Sequence, residues 1–239
     1  MKTEIYNLII LDESGSMSPI VKQTINGCNE TLNTIRSAQK EYAASQTHYV
    51  SIFVFQSNAS RPSHYLVKNR PIDEVAPLTE TMYEPYGGTP LYDAVGSTLT
   101  DLKAIISCKE LALGNVTIIT DGEENSSRHY SGEKVMRMIS EVRELGWSVN
   151  FIGANIDVKA AAATIGISNS YTFEQTASGT KQMFEKESQS RQSWYRRTAQ
   201  LIDECACEAP GSVQTKQSLR KKLKESADKY FNPDKEDKA

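Results

Sequence analysis

Short runs of β-branched and aromatic residues recur along this chain, at Leu8–Leu11, Ser51–Phe55, Val116–Thr120 and Val149–Gly153, with segments of helical periodicity between them. Runs of this kind read as buried strands. Strands that alternate with helices read as a parallel sheet whose connections are crossovers. The expected fold class is therefore α/β: a doubly wound, Rossmann-like, mostly parallel sheet with helices on both faces. The expected strands are Ile5–Leu11, Tyr49–Phe55, Val116–Thr120, Ser148–Gly153 and Ser170–Phe173, with a short edge strand or hairpin at His64–Val67 and Pro71–Val75.

Helix signals fall between these runs. Ser18-Pro19 offers a cap and a proline at the first helical position, opening a helix from Ile20 to Ala44. Thr89-Pro90 repeats that arrangement before Leu91, Val95, Leu99, Leu102 and Ile106. Ser131–Leu145 is closed by Gly146, and the alanine-rich Asp157–Ile165 by Gly166. After Ser178, Trp194, Tyr195, Thr198, Leu201, Ile202 and Cys205 share one helical face that suits packing on the sheet, with Trp194 as a core anchor. Ala209-Pro210-Gly211-Ser212 breaks this helix. The chain is thus expected to divide into a domain at 1–208 and a charged helical tail at 209–239, with a thin stripe of Leu219, Leu223, Ala227 and Tyr230.

Composition narrows the function. With 239 residues, 38% hydrophobic and 24% charged, the chain can bury an ordinary core without disulfides. A net charge of -3 does not suit a nucleic-acid binder. No stretch is long and apolar enough for a membrane span or a signal peptide, so a cytoplasmic protein without membrane contact is expected. Cys28, Cys108, Cys205 and Cys207 are then expected as reduced thiols, with pairing of Cys205 and Cys207 to each other or to a metal as the alternative.

Three segments each follow a strand and precede a helix: Asp12-Glu13-Ser14-Gly15-Ser16, Gly87-Gly88-Thr89-Pro90 and Thr120-Asp121-Gly122-Glu123. Ligands of open parallel sheets bind beyond the carboxyl ends of the strands, where the strand order reverses. Hydroxyl and carboxylate oxygens suit a hard cation such as Mg2+ or Mn2+. Asp12, Ser14, Ser16, Thr89 and Asp121 would supply two negative charges, leaving a divalent ion attractive to one more anionic oxygen.

This pattern resembles the metal-ion-dependent adhesion site (MIDAS) of von Willebrand factor type A (vWA) domains, over roughly residues 3–207. There the first loop gives Asp, Ser and Ser, the second Thr and the third Asp, which match Asp12, Ser14, Ser16, Thr89 and Asp121. The resemblance implies a six-strand sheet, serines and in one state the threonine on the metal, and aspartates acting partly through water. It implies a protein partner offering a Glu or Asp carboxylate, and a bacterial intracellular type that works beside an ATPase, a kinase-like protein or a stress-response operon partner.

Plainer roles stand beside these. Thr89 suits a helix cap, Asp93 a favourable place near a helix start, and Glu13, Glu123 and Glu124 solvated loop positions rather than contacts to metal or partner. Met17 and Tyr92 suit the core as well as a partner. His48, His64 and His129 are expected at the surface, and Arg220-Lys221-Lys222-Leu223-Lys224 on a solvated helix face. The competing enzymatic reading is a magnesium-dependent phosphatase of the haloacid dehalogenase type. That chemistry needs a second Asp two residues after the nucleophile, where this chain has Ser14. No phosphate-binding GxxxxGK[ST] loop is present either. A non-enzymatic binding protein is therefore expected, and a metal-free structural adaptor is the remaining alternative.

Overall fold

A computed structural model describes residues 2–109, 111–154, 157–208 and 213–232. Six strands form one sheet: β1 (Thr3–Asp12), β2 (Gln46–Phe55), β3 (His64–Pro71), β4 (Ala112–Thr120), β5 (Ser148–Gly153) and β6 (Asn169–Thr172). Their spatial order is β3-β2-β1-β4-β5-β6. All neighbouring pairs are parallel except β2 with the edge strand β3. The helices are α1 (Val21–Glu41), α2 (Leu91–Ile106), α3 (Gly132–Glu144), α4 (Val158–Thr164), α5 (Ala177–Glu208) and α6 (Val213–Ala227). The chain leaves β1 for β2 on one side and reaches β4 on the other. The reversal of strand order therefore lies between β1 and β4.

Alternate residues of β1 feed two cores. Ile5, Ile9 and Leu11 pack with α1 residues Ile25, Leu32 and Ile35 and with Phe184, Trp194 and Leu201 of α5. Tyr6, Leu8 and Ile10 pack with Leu91, Val95 and Leu99 of α2, Val135 and Ile139 of α3, and Val158 of α4. A side-chain carbon at Gly27 of α1 would collide with the Phe184 ring, so this glycine permits the close approach of α1 and α5. The charged C-terminal segment also reaches a core: Leu223 of α6 and then Tyr230 and Phe231 are buried in the α1–α5 cluster.

Several element boundaries differ from the expectations. Ser18-Pro19 does not open α1; a 3-10 turn over Gly15–Ile20 contains Pro19, and the Ser18 hydroxyl donates back to the Gly15 carbonyl. Thr89 does not cap α2 through its side chain, because the helix begins two residues later at Leu91. Pro71–Val75 is not a strand: Pro71 ends β3 and a 3-10 turn follows at Ile72–Glu74. Trp194 is buried, as expected, and Met17 belongs wholly to the core. Cys28, Cys108 and Cys205 are free thiols. The side chain of Cys207, and with it the Cys205–Cys207 alternative, lies outside the described residues.

A buried polar network ties α5 to the sheet. Arg191, fully buried, donates to Glu187, to Asn7 of β1 and to Thr117 of β4, and the Tyr230 hydroxyl donates to Glu187 at 3.1 Å. Such a pair adds little net stability over an apolar equivalent, but losing one partner strands a buried charge.

His48 corrects the sequence reading most sharply. Its place at the start of a strand suggested the surface, yet it is fully buried, with Nε2 3.0 Å from Gln46 Oε1 and its ring edge-on to Tyr195. The extension of β2 back to Gln46 carries it under α5. Burial, with a smaller effect from the Arg191 charge, pushes its pKa down to about 3. The unfolded chain then binds a proton below about pH 6.5 that the native state refuses, so this histidine's contribution is lost as pH falls. Between pH 6 and 4 the stability gap between the native protein and His48→Gln should shrink by roughly 1.4 kcal/mol per pH unit. Urea unfolding of both proteins across that range measures it; a pH-independent gap would contradict the assignment.

Candidate metal centre

β1 and β4 end side by side, and their last residues deliver Asp12 and the loop that begins with Asp121 to the point where strand order reverses. Asp12 is fully buried. Its Oδ1 accepts the Ser14 backbone N–H at 2.7 Å, its Oδ2 accepts the Thr120 hydroxyl at 2.5 Å, and the Tyr83 hydroxyl donates to its backbone carbonyl. The Ser14 and Ser16 hydroxyls stand 3.0 Å apart, and Ser16 Oγ donates to Asp121 Oδ1 at 2.7 Å. Thr89, on the second loop, meets them against Gly122 of the third. A side-chain carbon placed on Gly122 would lie 3.1 Å from Thr89 Oγ1 and 4.0 Å from Ser16 Oγ, so both hydroxyls border the same small space. All five residues singled out from the sequence therefore meet at one end of the sheet.

The second loop is shaped for close backbone contact. Gly87 has φ +71°, and its carbonyl accepts the Gly15 N–H at 3.0 Å, which links the first loop to the second. At Gly88 any side-chain carbon would collide with Ser126 Oγ and Asn125 Oδ1. Asn125 in turn accepts the Thr89 N–H at 2.8 Å, while its own N–H donates to the Thr89 carbonyl. The third loop thus holds Thr89 through its backbone and leaves the Oγ1 hydroxyl to the site.

The acidic residues beside the site divide by role. Glu13 is fully buried and accepts from Gln56 Nε2 at 2.8 Å, from Arg61 Nη2 at 3.1 Å and from the Glu84 N–H at 2.7 Å. Glu124 accepts from the backbone of Tyr92, Ser126 and Ser127, and Asp93 from that of Arg128, His129 and Tyr130. These three brace loops, where the sequence suggested solvated positions and a helix-start interaction. Glu123 is exposed, and Tyr92 is half-buried against the α2–α3 core.

Glu13 has the Arg61 guanidinium beside it, whereas the main influences on Asp12 and Asp121 include no cationic group. Burial pushes the Asp12 carboxyl up to about 6, against the hydrogen bonds from Thr120 and Ser14, and Asp121 raises it further. Burial likewise raises Asp121, against bonds from Ser16 and Gln175. Two buried carboxylates with three hydroxyls form a donor set that fits a hard divalent cation, which would reverse both shifts. No group of three or more His, Cys, Asp or Glu able to hold a metal occurs among the described residues, so the hydroxyls are essential to this set.

Sequence reasoning missed Thr120, Tyr83, Asn125 and Gln175. Thr120 adjoins Asp121 and Asn125 lies in the same loop, so the motif pointed near them. Tyr83 and Gln175 carry no local signal, and only the topology brings them here.

Glu13→Ala should leave the Arg61 guanidinium, the Gln56 amide and the Glu84 N–H without their shared acceptor. With part of Arg61 open to water, the expected cost is about 1–3 kcal/mol in urea unfolding of metal-free protein. A midpoint equal to that of the native chain would refute the bracing role.

No family model and no curated relative matches this chain. Solved structures do. The pilus adhesin SpaC from Lactobacillus rhamnosus GG, in an open conformation, is similar with a TM-score of 0.61 at 12% identity, over 82% of this chain and 30% of that one. A von Willebrand factor type A protein from Catenulispora acidiphila is similar with a TM-score of 0.52 at 12% identity, over 80% and 43%. Proximal thread matrix protein 1 from the mussel byssus, with a zinc-occupied MIDAS motif, is similar with a TM-score of 0.50 at 15% identity, over 77% and 44%. The match spans less than half the length of each of these proteins. Among the described residues no helix is long and apolar enough to cross a membrane. The six-strand, mostly parallel sheet with helices on both faces is the fold of von Willebrand factor type A domains.

Proposed function

We propose that this chain is a metal-dependent protein-binding module, of the adaptor or scaffold kind, rather than an enzyme. Asp12, Ser14, Ser16, Thr89 and Asp121 would hold Mg2+ or Mn2+, and the ion would offer its remaining position to a Glu or Asp carboxylate of a partner protein. The observation that carries this reading is the convergence of two buried carboxylates with three hydroxyls where the strand order reverses. Two negative charges leave a divalent ion electrophilic enough to attract one more anionic oxygen. The residues around the site support it by fixing loop shape: Glu13, Glu124 and Asp93 spend their carboxylates on neighbouring N–H groups and do not compete for the ion.

The non-enzymatic part of the reading rests on Asp12. As the nucleophile of a phosphatase it would need a second Asp two residues later as general acid, and that position is Ser14. The zinc-occupied MIDAS motif of the mussel byssus protein, which has a similar fold, is consistent with a divalent ion at this end of the sheet.

The test is thermal unfolding after EDTA treatment and again with Mg2+ or Mn2+, for the native chain and Asp12→Ala. At about 100 times its dissociation constant an ion adds about 2.7 kcal/mol, which for a domain of this size is roughly 5–10 °C in midpoint. That shift is expected in the native chain and not in the variant. No shift in either protein at millimolar metal would remove the metal-dependent reading and leave the metal-free adaptor.

A further inference from the structure

Gln175 lies in the short connection between β6 and α5, far in sequence from the three loops that supply the metal-site residues. Its amide nitrogen nevertheless donates to Asp121 Oδ2 and, at 2.7 Å, to the backbone carbonyl of Ser16. An amide NH2 carries two hydrogens. Both are committed here, one to the third loop and one to the first.

The geometry has two consequences for the site. Asp121 is gripped at both oxygens, by Ser16 Oγ at Oδ1 and by Gln175 at Oδ2, so the rotation of its carboxylate is fixed. Ser16 is held at its main chain by the same amide, so one side chain adds a second tie between the first and third loops beside the direct Ser16–Asp121 bond. The connection that carries Gln175 is anchored on either side. Phe173 before it is buried and its N–H donates to the Gly153 carbonyl, while the Thr180 N–H after it donates to the Thr176 carbonyl.

We propose that Gln175 is a positioning residue of the metal site, a clasp from a fourth loop that holds Asp121 and Ser16 in the arrangement the ion requires. This rests on the metal-binding reading above. Groups that orient metal ligands from outside the coordination shell typically change metal affinity by about 10–100-fold when removed.

The experiment is calorimetric titration of the EDTA-stripped full chain with MnCl2, for the native protein and Gln175→Met, with the metal-free unfolding midpoint of each. Methionine keeps the length of the side chain and removes both donors. The expected result is an unchanged metal-free midpoint with Mn2+ affinity lowered by about 10-fold or more. Equal affinity in the two proteins overturns the proposal, whether or not the variant loses metal-free stability, because a lowered midpoint alone marks a purely structural contact. A native chain that takes up no Mn2+ overturns the metal-binding reading itself and this proposal with it, and that failure is visible before any variant is compared.

Discussion

Two carboxylates buried beside each other at the carboxyl ends of β1 and β4 are the constraint to which the rest of this molecule answers. Burial opposes ionisation of both, and the main influences on them include no cationic group. The parallel sheet forces this proximity: β1 and β4 are neighbours in register from Glu4 opposite Ala112 to Leu11 opposite Ile119. The residues that follow must then emerge side by side. Hydroxyls from Ser14, Ser16 and Thr89 complete a ring of oxygens that water or a cation can satisfy and apolar packing cannot.

Maintaining that ring takes a rigid surround. Glu13 points away from the site and ties the first loop to Arg61 and Glu84, while Glu124 and Asp93 fasten the third loop over the start of α2. Acids of identical type within a few residues thus do opposite things. Glu13, Glu124 and Asp93 act as staples through several N–H partners, while Asp12 and Asp121 accept the hydroxyls of Thr120 and Ser16 where the strand order reverses. Beneath the sheet, the Arg191–Glu187 pair joins α5 to β1 and β4, the strands that carry the two aspartates. One face of the scaffold is thereby tied to the strands below the site.

The strands and the convergence of Asp12, Ser14, Ser16, Thr89 and Asp121 were legible because each rests on a local, repeated signal: β-branched runs, and oxygen-bearing loops between strand and helix. What escaped depended on tertiary placement. His48 looked like a strand entry because the residues before it, Ser45 to Thr47, are polar, but α5 arrives from nearly 150 residues away to bury it. Ser18-Pro19 and Thr89-Pro90 carried the spelling of a helix start, yet the first lies in a 3-10 turn and the second in the loop that ends at Pro90, and the helices begin just after them. Gln175 had no motif at all; a polar residue after an edge strand is ordinary until the sheet order brings it back to Asp121.

The most direct test of the central claim is a crystal structure of the chain grown with MnCl2, with diffraction recorded on either side of the manganese absorption edge. The account predicts one anomalous peak between Asp12, Ser14, Ser16, Thr89 and Asp121, bonded to hydroxyl oxygens at about 2 Å. An anomalous map with no peak there, in crystals whose site is open to solvent, would contradict it.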